Sequence, residues 1–313
     1  MNRMSQESSN ESFVNIKSFH LAGIVPVAGQ PLDYKLPWHD CLQPIAQNFL
    51  AVERAVLECA TAGCETIWIV CPAKMQPLIK YRLGEMVEDP VWVGRKFDYY
   101  PSESKKAVPI YYVETHPKDQ GRKDSIVWSI IYGAKVATKV CYQLSKWVEP
   151  DKFYVAFPYG VFPSQHVRQH REIISKPGNF LLVTPEGNSV IDNEFIGFAF
   201  DATDTTKFSQ LFWRKSTGLY DPEGPLREGK YPTERLPLKE RYSGRHFGLK
   251  DIFGSIDTSK PTTWIEMEWF YDISSWEGYC KYIGSEHRER MKRPKSDMLR
   301  YRTWNKVGID ETD

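Results

Sequence analysis

An aspartate at the end of an alternating, strand-like stretch is the first residue whose position could support chemistry. Asp272 follows residues 264–271, in which apolar and acidic side chains alternate. Because α/β sheets bind ligands at the carboxyl ends of their strands, Asp272 is a candidate metal ligand. The alternative is an acid that interacts favourably with the dipole of a following helix. Either role predicts that Asp272 lies between a strand and a helix.

Two histidines form a second candidate site. His166 and His170 are four residues apart in SQHVRQHRE, so a helix would place both on one face, an arrangement compatible with metal binding. The glutamate of a zincin motif is absent, because Val167 follows His166. The sequence therefore favours a solvated or partner-facing helix over a metal site.

A short basic stretch precedes a long helical pattern. Gly121, Arg122 and Lys123 stand immediately before it. The N-terminus of a helix can bind a phosphate, since its first amide N–H groups have no partner within the helix. An ordinary charged loop has the same composition, and the sequence alone favours that interpretation.

A second basic stretch lies near the C-terminus, where eight cations face only Glu289 and Asp297. The cations are Arg288, Arg290, Lys292, Arg293, Lys295, Arg300, Arg302 and Lys306. Tyr301 and Trp304 are interleaved with them, and aromatic rings among cations can stack on nucleic-acid bases. A solvated segment, or one that docks in a homo-oligomer, is the favoured alternative to nucleic-acid binding.

The overall composition argues against a dedicated polyanion-binding protein. The 313-residue chain has 41 Lys and Arg against 40 Asp and Glu, whereas neutralising phosphates requires a clear basic excess. Aromatic residues make up 14% of the chain, enough for a large packed core. Six scattered cysteines, no apolar leader and no run of about 18 apolar residues predict a reduced, cytoplasmic protein without a membrane partner.

Strand and helix patterns alternate through the first half of the chain. Strand patterns occur at residues 21–27, 67–71, 110–113, 153–157 and 180–184. Helical patterns occur at residues 49–63, 77–85, 125–143 and 164–174. This order is typical of a layered α/β fold with a mainly parallel sheet.

The second half is less regular. Residues 220–240 contain four prolines and many charges, which predicts a long loop or an insertion at about residues 215–250. Residues 264–271 predict another strand, after which Ser274 or Ser275 can cap a short helix. The Ser- and Asn-rich residues 1–17 predict a flexible tail.

Several of these segments together resemble the sugar-phosphate nucleotidyltransferases, or sugar-nucleotide pyrophosphorylases, of the GT-A type. The similar segments are AGIVPVAG at 22–29, QPI at 43–45, AGCETIWIV at 62–70 and WFYDISSWEGY at 269–279. The resemblance implies a Rossmann-like three-layer fold with a mixed, mainly parallel sheet. It also implies one catalytic-type domain over residues 18–285, followed by the basic segment 286–313.

The resemblance also implies a reaction and a site. Such enzymes let a sugar 1-phosphate attack the α-phosphorus of a nucleoside triphosphate and release pyrophosphate, with Mg²⁺ as cofactor. Carried over to this sequence, Ala28, Gly29 and Gln30 would bind the nucleotide, with Lys35 near phosphate. Asp272 would be a metal ligand, and the two catalytic residues would be Lys35 and Asp272.

This chain departs from the family pattern at several charged positions. The family's second glycine is missing from the phosphate loop, Pro31 removes a backbone donor there, and Lys35 could stand in for the family's arginine. Tyr159 stands where the family has a metal-binding aspartate. Its ring could stack on a base or a sugar, although an ordinary aromatic at a strand end is the favoured interpretation. The leading hypothesis is a nucleotidyltransferase, and the alternatives are a catalytically degenerate binding or scaffold protein and a nucleic-acid-associated protein.

Overall fold

The computed structural model describes residues 19–29, 39–93, 106–144, 149–227, 231–295 and 298–299. The tail expected at residues 1–17 lies outside these ranges, as do Gln30 and Lys35. Within the described ranges, no helix combines the length and the apolarity that a membrane span needs.

Strands are short and numerous in the described part of the chain. They are β1 (Leu21–Pro26), β2 (Pro44–Ala46), β3 (Phe49–Leu50), β4 (Thr66–Cys71), β5 (Met86–Glu88), β6 (Ala107–Glu114), β7 (Lys152–Val155), β8 (Gly160–Val161), β9 (Asn179–Val183), β10 (Phe198–Asp201), β11 (Leu226–Arg227), β12 (Tyr231–Pro232), β13 (Thr262–Glu266), β14 (Tyr271–Asp272) and β15 (Met298–Leu299).

Helices separate most of these strands. They are α1 (Ala51–Ala62), α2 (Gln76–Leu83), α3 (Pro90–Val93), α4 (Ile126–Leu144), α5 (Gln165–Gln169), α6 (Arg171–Ile174), α7 (Asp204–Lys215), α8 (Leu249–Phe253), α9 (Trp276–Ile283) and α10 (Glu286–Arg290). The expected insertion lies between α7 and α8 and consists mainly of turns, with the small hairpin β11–β12.

Nine strands form one sheet in the order β13-β9-β10-β7-β1-β4-β6-β5-β15. Only β10 and β5 run against the other seven, because each pairs antiparallel with both of its neighbours. The remaining neighbours pair parallel. The expected α/β, Rossmann-like fold with a mixed, mainly parallel sheet is therefore confirmed.

Helices cover both faces of this sheet, which makes three layers. Val25 of β1 points into the core shared with α1, whereas its neighbour Ile24 points into the core shared with α4, α7 and α8. Successive side chains of a strand alternate between faces, so a strand buried on both sides reads as a continuous apolar run. Each fully buried aliphatic side chain contributes about 1.5–3 kcal/mol of transfer free energy.

Three local expectations need correction. The helix expected at 164–174 is two short helices, because the backbone at His170 leaves the helical conformation. The strand expected at 264–271 ends at Glu266, where its partner β9 also ends at Val183, and Tyr271 begins a separate ladder with β8. Helix α7 was not expected, although its buried residues Thr205, Phe208, Ser209 and Phe212 follow helical spacing.

The C-terminal segment contributes to the sheet beyond residue 285. β15 pairs antiparallel with β5 and forms the outermost strand on that side. Of the eight cations in the basic stretch, Arg300, Arg302 and Lys306 lie outside the described residues, as do Tyr301 and Trp304.

Candidate functional site

The topology identifies the edge of the sheet where a ligand would bind. From β1 the chain proceeds outward through β4 and β6, then crosses to the other side of β1 to form β7. In open α/β sheets, ligands bind at the carboxyl ends of the strands where the strand order reverses in this way. The relevant segments are the turn after β1 and the loop that joins β7 to β8.

The turn after β1 is fixed by main-chain hydrogen bonds. The N–H groups of Val27 and Ala28 both donate to the carbonyl oxygen of Val70, at 2.8 and 2.9 Å. Ser129 Oγ of α4 donates to the carbonyl oxygen of Ala28 at 2.7 Å. The amide of Ala28, expected to contact the nucleotide, is therefore engaged within the protein.

Gly29 brings this turn against the start of α4. Its φ of +84° is a left-handed conformation, and a Cβ at this position would lie 2.4 Å from the carbonyl carbon of Ser125 and 2.7 Å from that of Asp124. Only glycine permits both the conformation and the close approach. The expected turn at Gly29 is thus present, and it adjoins the N-terminus of α4.

Asp272 lies on the other side of the same edge. It pairs with Gly160 in the short ladder of β8 with β14. Its Oδ1 accepts the Ser274 N–H at 2.7 Å, and burial raises the pKa of this carboxyl. Ser275 caps α9 instead, since its Oγ accepts the Gly278 N–H at 3.1 Å. Asp272 therefore lies between a strand and the start of a helix, as expected, and both the metal-ligand role and the interaction with the helix dipole remain predictions.

A second carboxylate, Glu194, lies close enough to interact with Asp272. Burial is the first cause that raises the pKa of Glu194, and the negative charge of Asp272 raises it further. Two partly desolvated carboxylates that repel each other would be stabilised by a cation between them. The sequence analysis missed Glu194, because nothing in its neighbourhood in the chain distinguishes it from a solvated acid.

The donor set suits Mg²⁺ shared with a substrate. The described residues contain no group of three or more His, Cys, Asp or Glu side chains that could hold a metal on its own. Mg²⁺ typically uses one or two carboxylates together with substrate phosphates, and keeps several waters. Asp272 and Glu194 supply that number of protein oxygens.

Tyr159 hydrogen-bonds both to the turn after β1 and to the segment that contains Asp272. Its hydroxyl donates to the carbonyl oxygen of Val27 at 3.4 Å, and its own carbonyl accepts the Ile273 N–H at 2.8 Å. The ring is 1% exposed and meets Phe195 edge-on, with 5.6 Å between the ring centroids. The expectation that this ring stacks on a base or a sugar is therefore wrong, because no face of it is open to a ligand.

A buried network that the sequence analysis missed holds the carboxyl end of β7. Arg54 of α1 donates to the carbonyl oxygen of Phe157 at 3.1 Å and to Glu58 Oε2 at 2.7 Å. The Tyr154 hydroxyl donates to Glu58 Oε1 at 2.6 Å. A signal was available, since Arg54 and Glu58 have the i,i+4 spacing of an ion pair in a helix whose other residues are mostly apolar.

Lys123, a candidate phosphate ligand, forms its charge interactions within the protein. Its Nζ lies 2.7 Å from Asp119 Oδ1, and 4.1 Å from the ring centroid of Trp213. The side chain is 6% exposed. Neither its charge nor its position leaves it available to a ligand.

The two histidines do not form a metal site. His170 lies between α5 and α6, and its Nδ1 is 2.8 Å from the carbonyl oxygen of His166. The Nε2 of His166 is 3.8 Å from Glu268 Oε1. Because the helix breaks at His170, the shared face that the i,i+4 spacing would give is lost.

No family model matches the chain, and no curated protein sequence matches it. The structure, however, is similar to a glucose-1-phosphate thymidylyltransferase from Bacillus anthracis in complex with sucrose. That similarity has a TM-score of 0.54 at 11% identity, and covers 88% of this chain and 98% of the other. The chain has a nucleotidyltransferase-like fold.

Two further structures match this chain over their full length, with lower TM-scores. A UDP-glucose pyrophosphorylase complexed with UDP-glucose has a TM-score of 0.47 at 11% identity, over 87% of this chain. The manganese complex of Rv0371c from Mycobacterium tuberculosis H37Rv has a TM-score of 0.42 at 10% identity, over 86% of this chain.

Proposed function

We propose that the protein transfers a nucleotidyl group from a nucleoside triphosphate to a sugar 1-phosphate and releases pyrophosphate. One observation carries the proposal. Tyr159 joins the turn that ends at Gly29 to the segment that contains Asp272, and does so at the switch point of a nucleotidyltransferase-like sheet. This contact supports the proposal, because the reaction requires a turn that accepts phosphate and an acidic edge that binds a metal, and Tyr159 links the two segments to which we assign these roles.

The electrostatics of the reaction require such an arrangement. Negative charge concentrates on the phosphates of both substrates, and it must be neutralised where it develops. Mg²⁺ would be held by Asp272 and Glu194 and would supply positive charge to the phosphates. Gln30 follows Gly29 directly in the sequence and Lys35 comes six residues after Gly29, and we assign them to nucleotide contact and phosphate neutralisation.

Within this assignment the buried residues have a positioning role. Arg54 fixes the carbonyl of Phe157, and Tyr159 fixes Val27 and Ile273. Preorganised groups lower a barrier more than mobile ones, because they require no reorganisation as charge develops. Tyr159 thus acts on the site through the backbone, and its ring does not contact the substrate.

A binding protein without catalysis is the second candidate. It is favoured by the burial of Tyr159 at the position where the family has a carboxylate, and by the engagement of Lys123 with Asp119. Such a protein would bind a nucleoside triphosphate in a Mg²⁺-dependent manner and would leave it intact.

Release of pyrophosphate distinguishes these functions. We expect the protein with Mg²⁺ to release pyrophosphate from at least one combination of the four common nucleoside triphosphates with a panel of sugar 1-phosphates. Asp272→Asn retains the acceptor for Ser274 but removes the charge, and should abolish release. Glu172→Gln, at an exposed position on α6, is the matched control and should not change it. Binding without release in every combination would favour the second candidate.

A further inference from the structure

A cleft on the surface beside α4 has a composition that the proposed site does not explain. Its volume is about 450 Å³, within the range of roughly 300–1,000 Å³ that is usual for small-molecule sites. Its lining residues are Pro117, Lys118, Gln120, Arg122, Leu238 and Lys239. Three of the six are cations and none is acidic.

One wall of the cleft is a rigid turn before α4. The N–H groups of Arg122 and Lys123 both donate to the carbonyl oxygen of Asp119, at 3.1 and 2.8 Å. The carboxylate of Asp119 accepts hydrogen bonds from Lys123 Nζ and from Trp128 Nε1. Because the Asp119 carboxylate accepts hydrogen bonds from Lys123 and Trp128, the turn is fixed, with Lys118 exposed and Arg122 partly buried along the cleft.

Arg122 is incompletely paired on this wall. Its Nη2 lies 3.6 Å from Asp119 Oδ1, a longer contact than the 2.7 Å between Lys123 Nζ and the same oxygen. Its Nε is buried without a hydrogen-bond partner. A buried N–H without an acceptor is costly, and the long contact of Nη2 with Asp119 leaves the guanidinium charge only partly compensated.

The other wall comes from the insertion between α7 and α8. Leu238 and Lys239 lie in a turn closed by the Glu240 N–H, which donates to the carbonyl oxygen of Pro237 at 2.9 Å. The insertion is attached to the first wall, since the Gly244 N–H donates to the carbonyl oxygen of Arg122 at 3.0 Å. The two walls are therefore fixed relative to each other.

The first wall of the cleft leads along the chain to residues that contact the turn at Gly29. Asp124 and Ser125 follow its first wall in the chain and pack directly against Gly29. We propose that Lys118, Arg122 and Lys239 bind the polyphosphate of the nucleotide, so that the insertion supplies a cation to the site. This inference rests on the proposed function, and it gives the protein a source of positive charge outside the first loop.

The chemistry of recognition is that of phosphate oxygens. Arg122 offers a planar donor group that can contact two oxygens at once, and the lysines add flexible point charges. Exposed cations are screened by salt, so binding through this cleft should weaken as ionic strength rises. The base and ribose would contribute little to binding at this cleft.

Calorimetric titration of the full chain tests the proposal with tripolyphosphate, a nucleoside triphosphate and the corresponding nucleoside. Lys118→Gln combined with Lys239→Gln should raise the Kd for tripolyphosphate and for the nucleotide at least tenfold. Lys139→Gln, at an exposed position of α4 about 20 Å along the helix from its start, should change neither Kd. Both lysines of the cleft are exposed, so unaltered thermal unfolding is expected and would exclude misfolding.

The failures of the two proposals are distinguishable. Binding of tripolyphosphate that is equal in the double variant and the wild type would overturn the cleft assignment, whether or not pyrophosphate is released. Binding that is weakened as expected, in a protein that never releases pyrophosphate, would support the cleft and contradict nucleotidyl transfer. In an active enzyme, the double variant should raise KM for the nucleotide and leave kcat nearly unchanged.

Discussion

At the scale of single residues, Gly29 and Gly187 allow two contributions to stability to be compared. One is the cost of a left-handed backbone at a non-glycine residue, and the other is the cost of a steric clash. Gly29 and Gly187 have nearly the same left-handed φ, +84° and +86°. A Cβ on Gly187 would meet nothing within 4 Å, whereas one on Gly29 would lie 2.4 Å from the backbone of Ser125. Only the alanine at position 29 would push the turn away from α4.

We therefore expect Gly187→Ala to lower the free energy of unfolding by about 1–2 kcal/mol, which is the cost of a left-handed alanine. Gly29→Ala should cost more than this and should also weaken nucleotide binding, because the turn moves. Urea denaturation and calorimetry measure the two effects. Equal destabilisation by the two variants would contradict the close packing of Gly29 against α4.

The pH dependence of the free energy of unfolding tests whether the Lys152 side chain is buried. The side chain is buried, its Nζ donates to the carbonyl oxygen of Lys176 at 2.8 Å, and burial lowers its pKa from 10.5 to about 8. Between these two pH values the unfolded chain holds more protons on this residue than the folded chain does. Stability through this group therefore rises with pH across that window.

The expected outcome is a difference between two proteins. From about pH 7 to about pH 9.5, the wild type should gain roughly 2 kcal/mol of unfolding free energy relative to Lys152→Met. Other groups titrate in the same range, but they contribute equally to both proteins and cancel. A wild type that gains no stability relative to Lys152→Met, or that loses stability relative to it as pH rises, would show that the ammonium group is not buried in the folded chain.

At the scale of elements, α1 and β7 are connected by the network of Arg54, Glu58 and Tyr154. Arg54→Met would leave Glu58 as a buried acid without its counter-ion, although Tyr154 would still donate to it, and burial already raises the pKa of Glu58. Removing one partner of a buried pair costs about 3–5 kcal/mol, whereas replacing the whole network with apolar residues is often neutral.

Denaturation should therefore show a large loss of stability in Arg54→Met. It should show a smaller loss when Glu58→Leu and Tyr154→Phe are added to the same chain. A triple variant as unstable as the single one would mean that Arg54 acts mainly through the carbonyl of Phe157.

Elements that local pattern determines were predictable, whereas those that depend on a partner were not. β1, β4 and α4 follow from continuous apolar runs and from helical spacing, and the structure confirms them. The strand expected at 264–271 ends early because β9 ends, and a single chain segment carries no information about the length of its partner. The break at His170 likewise depends on a side chain that contacts the preceding turn.

The site was predictable to a similar extent. Gly29 and Asp272 lie at the ends of strand patterns, so their place on one edge of a parallel sheet follows from the sequence. Glu194 lies in a loop and Arg54 lies in helix α1. Only the tertiary structure shows that these two side chains interact with residues of the site. The role of Tyr159 depended on burial, which its position at a strand end left open.

At the scale of the whole molecule, positive charge is distributed differently from the sequence expectation. The nearly balanced total of 41 basic and 40 acidic residues hides a cleft lined by three cations and an edge that carries two interacting carboxylates. Anionic phosphates would be attracted to the first and, with Mg²⁺, to the second. Asp124 and Ser125, which follow the cleft's first wall in the chain, pack against Gly29, and we propose that both regions serve one nucleotide.

The most direct test of this account is a crystal structure of the protein with a nucleoside triphosphate and Mg²⁺. We expect the nucleotide to lie against the turn at Gly29, with its phosphates towards Arg122 and Lys239. The metal should be coordinated by Asp272 together with phosphate oxygens. A nucleotide bound elsewhere, or a metal without a contact to Asp272, would contradict the central claim that this edge of the sheet is a nucleotidyl-transfer site.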